Sequence, residues 1–132
     1  MSPRAPTNLT IVDLIRAFME YAEEQGQSSF PALDTRLWHT LFYALQLTFS
    51  HDIAIFKDMG AFTGNSGYSK NKKLSEAMKE VAHICTSRFD TARITLAVPL
   101  PQNHVRTNFP GLIEAMYASA KEMEGFFINP TE

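Results

Sequence analysis

The chain has 132 residues, 45% hydrophobic and 20% charged, with ten Phe, four Tyr, one Trp and a formal net charge of −2. That length and apolar content suit one domain around one core and exclude a disordered chain. No run approaches the roughly twenty uninterrupted apolar residues of a membrane helix, and a single cysteine, Cys85, excludes an internal disulfide and a cysteine metal cluster.

The small net charge conceals a segregation along the chain. Residues 1–56 carry three basic and six acidic side chains, residues 57–106 eight and four, and residues 107–132 one and four. A basic middle lies between acidic ends, densest at Lys70-Asn71-Lys72-Lys73. Such asymmetry points to an anionic partner for the middle segment. The N-terminus lacks the basic-then-apolar pattern of a secretory leader, so a cytoplasmic location is expected.

Taken in order, residues 1–9 form a Pro-containing tail. Thr10 is an N-cap, with Asp13 three residues on, and Ile11, Leu14, Ile15, Phe18 and Ala22 recur at helical spacing. A first helix over Ile11–Gln25 follows, closed by Gly26 in a left-handed cap. Residues 27–33 read as a loop, because Pro31 disfavours helix through Phe30. Asp34 caps a second helix over Leu37–Phe49, apolar on almost every side, which predicts a helix buried all round at the hub of the core. His39 lies inside it as a hydrogen-bonded packing residue, and His51 ends it.

Ile53-Ala54-Ile55-Phe56 fits a short strand or one more helical turn, and residues 60–67, with three glycines, form a loop. Ser69 or Asn71 caps the third helix. Its inward stripe is Leu74, Ala77, Met78, Val81 and Cys85, with Lys72, Lys73, Glu76, Lys79, Glu80 and His83 toward solvent. Residues 93–98 alternate with period two and form the clearest strand, ended by Pro99 and Pro101. Val105-Arg106-Thr107 returns as its antiparallel partner across the loop 99–104. Asn108 or Phe109 then precedes Pro110, and Leu112, Ile113, Met116, Tyr117, Ala120 and Met123 form the stripe of a fourth helix stopped by Gly125. Phe126-Phe127-Ile128 either tucks into the core or is given to a partner subunit.

No strongly specific catalytic or metal motif is present: no H-E-x-x-H, G-x-S-x-G, C-x-x-C or calcium loop. His39, His51, His83 and His104 fall on different elements without ligand spacing. A tertiary site such as His104 beside Asp90 is the one enzymatic alternative. The glycine loop is no Walker loop, since Gly67 is followed by Tyr68-Ser69-Lys70. Gly64-Asn65-Ser66-Gly67 matches the G-x-x-G clamp of one class of RNA-binding domain, without the expected sheet. What remains is Ser69-Lys70-Asn71-Lys72-Lys73 at a helix entry, where backbone N–H groups, the helix dipole and lysines favour an anion. Surface pairing of Lys72 and Lys79 with Glu76 and Glu80 is the plainer account of the same charges.

The element order, with Leu41-Phe42-Tyr43-Ala44-Leu45 and with Gly67-Tyr68-Ser69 opening the helix of Leu74, Ala77 and Val81, resembles small bacterial winged helix-turn-helix proteins, including the Panacea-type antitoxins. The resemblance spans residues 10–107 and departs in the long glycine loop and in lacking a proline before the tyrosine. It implies a mostly helical α+β domain of about four helices with a small antiparallel hairpin, and a regulatory or interaction role without catalysis or cofactor. The expected organisation is one domain, with residues 10–107 as the winged-helix-like core and 108–128 as a C-terminal helix and hydrophobic tail.

In that architecture the third helix meets the major groove and the 99–104 loop is the wing. The expected contact residues are Ser69, Lys70, Asn71, Lys72, Lys73, Lys79, Arg93, His104 and Arg106. Asn71, Ser75 and Lys79 are placed to reach base edges, and a homodimer through the C-terminal helix would supply the affinity one copy lacks. The alternative partner is an acidic protein surface docking on the same basic segment, as in a phage, defence or toxin-antitoxin regulator.

Overall fold

A computed structural model describes residues 10–27, 29–33, 35–49, 53–63, 70–87, 93–96, 105 and 109–127. The described chain is mostly helical, with helices α1 (Ile11–Glu24), α2 (Arg36–Phe49), α3 (Ala54–Asp58), α4 (Lys72–Val81) and α5 (Pro110–Glu122). Three short strands complete it: β1 (Phe30–Pro31), β2 (Cys85–Ser87) and β3 (Arg93–Leu96).

Helix α1 begins as its sequence predicts, with the Thr10 hydroxyl accepting the Asp13 N–H at 3.1 Å. It ends through a left-handed Gly26, φ +101°, followed by Gln27, whose N–H returns to the Ala22 carbonyl. Its buried face, Leu14, Ile15, Ala17, Phe18, Met19 and Ala22, packs against both α4 and α5. Phe18 sits at the centre, 5.8 Å from the Trp38 ring and 5.9 Å from that of Phe126. The hub of the core is therefore α1. The expected hub, α2, buries Trp38, His39, Leu41, Phe42 and Leu45 and leaves its other side open. The Thr35 carbonyl accepts the Trp38 and His39 N–H groups, so the chain enters α2 at Thr35, one residue beyond the expected cap Asp34, which lies outside the described residues.

Residues 30–31, expected in a loop, pair instead with β3. The sheet is antiparallel with order β1-β3-β2, Phe30 opposite Ile94 and Pro31 opposite Arg93, while Thr86 faces Thr95. A proline is tolerated there because β1 is an edge strand. The Pro31 carbonyl accepts the Trp38 indole N–H at 3.0 Å, tying the sheet to α2.

Among the described residues the expected hairpin between 93–98 and 105–107 does not appear. Both edges of β3 are occupied, by β1 and β2, and Val105 is helical, its carbonyl accepting the Phe109 N–H at 2.7 Å. Arg106 and Thr107 lie outside the described residues. Cys85 is likewise not on the third helix, which ends at Val81; a 3-10 turn at Ala82–Ile84 delivers it to β2.

Residues 54–58 take the helical alternative. At the C-terminus, Phe109 leads into α5 with Pro110 at its first turn, and Gly125, φ +87°, turns the chain back. Phe126 is then fully buried, 5.0 Å from Trp38, so its side chain serves this core and not a partner's. Ile128 lies outside the described residues.

Candidate functional site

The basic helix entry is α4. Leu74, Ala77, Met78 and Val81 face the core, whereas Lys72, Lys73, Glu76, Lys79, Glu80 and His83 are exposed, the division that helical periodicity predicts. The exposed face is wholly polar and mixed in sign. Lysines lead it, and the two glutamates follow one and two turns later.

Asn71 organises the entry, and it does so from inside. Its side chain is 1% exposed. Its Oδ1 accepts the Leu74 N–H at 2.9 Å, capping α4, and its Nδ2 donates toward the carbonyls of Met59, Gly60 and Ala61 at 3.0, 3.3 and 3.2 Å. Its backbone N–H donates to Nδ1 of His39 at 3.1 Å. One asparagine thus joins α2, the segment after α3 and the start of α4, and every polar group it owns serves that junction. The expectation that Asn71 reaches a base edge is corrected: burial and three internal acceptors hold it away from any ligand. His39 is, as expected, a hydrogen-bonded packing residue, 0% exposed.

Neighbouring contacts reinforce the junction. Gly60, at φ +84°, presents its carbonyl to both Asn71 Nδ2 and Gln46 Nε2, the latter at 2.8 Å, and Gln46 also donates to the Phe56 carbonyl. Thr63 and Lys70 exchange two backbone hydrogen bonds of 2.9 and 2.7 Å, which fixes where Lys70 stands on the surface. Lys73 Nζ donates to the Asp58 carbonyl at 2.9 Å, at the negative end of α3.

The structure therefore brings Lys70, Lys72 and Lys73 to one end of α4 and Lys79 to its far turns, all exposed. Arg93 opens β3, with only its backbone described. Ser69, His104 and Arg106 lie outside the described residues. Cys85 is half-buried in β2, and burial first, then the Glu23 carboxylate, pushes its thiol up to about 11. Such a thiol is a packing group at neutral pH. Among the described residues, no group of three or more His, Cys, Asp or Glu is placed to hold a metal ion, and no helix is long and apolar enough to cross a membrane. The chemistry within reach of this entry is anion attraction by lysine.

No family model, curated protein or solved structure matches the chain.

Proposed function

We propose a non-catalytic regulatory protein of winged helix-turn-helix type that binds DNA through α4 and the adjoining β2–β3 hairpin. The observation that carries this reading is the outer face of α4, where Lys72, Lys73 and Lys79 stand exposed with Lys70 at the helix entry. The order α1-β1-α2-α3-α4-β2-β3, with the strand after the first helix joined to the last strand of the sheet, supports it. So does the position of Arg93, where the hairpin re-enters the sheet.

In this reading the lysines contact phosphates, together with Ser69, Arg93, His104 and Arg106, and carry little base information. Glu76 and Glu80 flank Lys79 and set it apart from the lysines at the entry end of α4. One copy then binds weakly, and a homodimer through α5 doubles the contacts. The setting is the cytoplasm, without cofactor or covalent chemistry. An electrophoretic mobility shift with mixed-sequence duplex tests it: the wild-type chain retards the duplex, and Lys70, Lys72 and Lys73 changed together to Ala do not. A wild-type chain that leaves the duplex unretarded contradicts the reading.

A second reading, an acidic protein surface on the same segment, is favoured by the glutamates alternating with lysines on α4 and by Asn71 facing inward. Affinity capture with and without nuclease separates the two, because a partner bridged by nucleic acid disappears after digestion.

A further inference from the structure

We propose that the open side of α2, with Phe62, is a docking surface for an amphipathic helix of another protein that presents large apolar side chains among acidic ones. Arg36, Thr40, Tyr43, Ala44, Leu47 and Thr48 are exposed at three- and four-residue spacing and so share one face of α2. Leu47 is 67% exposed and Tyr43 41%. The Phe62 ring lies against Tyr43, centroids 5.3 Å apart at 60°, and extends the apolar stripe sideways. The core is already filled from the opposite face of α2, by Trp38, Leu41, Phe42 and Leu45. Large apolar groups in water gain nothing for the folded chain, and grouped on one face they mark an interaction surface.

Charge at its edges selects the occupant. Helix α2 contains no acidic residue. Arg36 stands exposed at one end of the stripe, and Phe62 adjoins Thr63, whose backbone pairing with Lys70 brings that exposed lysine to the same edge. On α3, which packs against α2, Lys57 and Asp58 are exposed, and the Asp58 carbonyl draws in Lys73. Among the described residues Arg36 and Lys70 thus border the stripe, with Lys57 and Lys73 beside Asp58 on the adjoining α3, an excess of cations that matches an acidic rim around apolar anchors. A helix laid along α2 offers such anchors at every third and fourth residue. The surface uses neither Lys72 nor Lys79 but shares Lys70 and Lys73 with the DNA-binding reading of α4, so Lys79→Ala separates the two.

The test is fluorescence anisotropy with a labelled helical peptide built from Leu, Phe and Glu, beside a sister peptide with Lys in place of Glu. The Glu peptide is expected to bind, and the Lys peptide to bind at least about tenfold more weakly. Leu47→Ser and Tyr43→Ser each weaken the Glu peptide by about tenfold or more, Arg36→Glu and Lys70→Glu weaken it several-fold, and Lys79→Ala leaves it unchanged. Circular dichroism melts confirm that these surface variants fold. Absence of binding, equal binding of the two peptides, or indifference to Leu47→Ser overturns the proposal. So does sedimentation showing a wild-type dimer that Leu47→Ser dissolves, which would assign the face to a second copy.

Discussion

Replacing Asn71 separates its two tasks. In Asn71→Ala the α4 cap is lost, about 1 kcal/mol, and at least one buried carbonyl among Met59, Gly60 and Ala61 goes unpaired at a further ~1–3 kcal/mol, so a loss of about 2–4 kcal/mol is expected. Asn71→Asp is the sharper probe. Aspartate caps an isolated helix as well as asparagine and suits the dipole better, so capping alone predicts no loss. Here the ionised carboxylate replaces the donating amide and faces three carbonyl oxygens in a site 1% exposed, so the Asp variant should lose as much as the Ala variant or more. Urea titration followed by fluorescence of the buried Trp38 measures both. An Asp variant within about 0.5 kcal/mol of the wild type would refute the reasoning, leaving Asn71 an ordinary cap.

Three further outcomes follow from the packing and titration of other residues. Phe126→Ala should cost about 3–5 kcal/mol and alter Trp38 emission, since the two rings lie 5.0 Å apart; a loss below about 1 kcal/mol in urea titration would place the tail outside the core. Leu45→Ala and Leu47→Ala, on opposite sides of α2, should differ sharply in thermal melts: about 2–5 kcal/mol for the first and within about 0.5 kcal/mol for the second. Cys85 should react with a disulfide reagent at pH 8 roughly a hundredfold more slowly than a free cysteine, with a rate still rising above pH 9, and Glu23→Gln should accelerate it by removing the second cause of the raised pKa. The folded chain holds the Cys85 proton up to about 11 and the unfolded chain only to 9.0, so between these values the native state binds more protons and stability falls as pH rises.

Local signals carried most of the fold. The Thr10 cap, the α1 and α4 stripes and the proline entry to α5 lie within a few residues of the features that announce them, so periodicity and capping rules suffice. Strand β1 has two residues, one a proline, and exists only because β3 arrives more than sixty positions later; no local pattern encodes that pairing. The same non-local competition bears on the expected hairpin, since β1 and β2 occupy both edges of β3 and Val105 is helical. On α2, apolar residues on every side predicted burial on every side. Periodicity cannot tell a side chain covered by its own core from one left in water, and Tyr43 and Leu47 are of the second kind.

The site was legible in part for the same reason. Exposure of Lys72, Lys73 and Lys79 follows from the buried stripe opposite, whereas the inward turn of Asn71 depends on three carbonyls supplied by residues 59–61. The signal within the sequence was its position. An asparagine opening a helix before a buried leucine is a cap first, and Leu74 is the residue it caps.

DNA binding by α4 is tested most directly by the salt dependence of duplex affinity, measured by anisotropy for the wild type and for Lys72→Ala. The wild type should give a linear fall of log affinity with log salt, and removing one phosphate contact should reduce that slope by about 0.9 while weakening all sequences alike. An affinity insensitive to salt, or a slope unchanged by loss of Lys72, would contradict it.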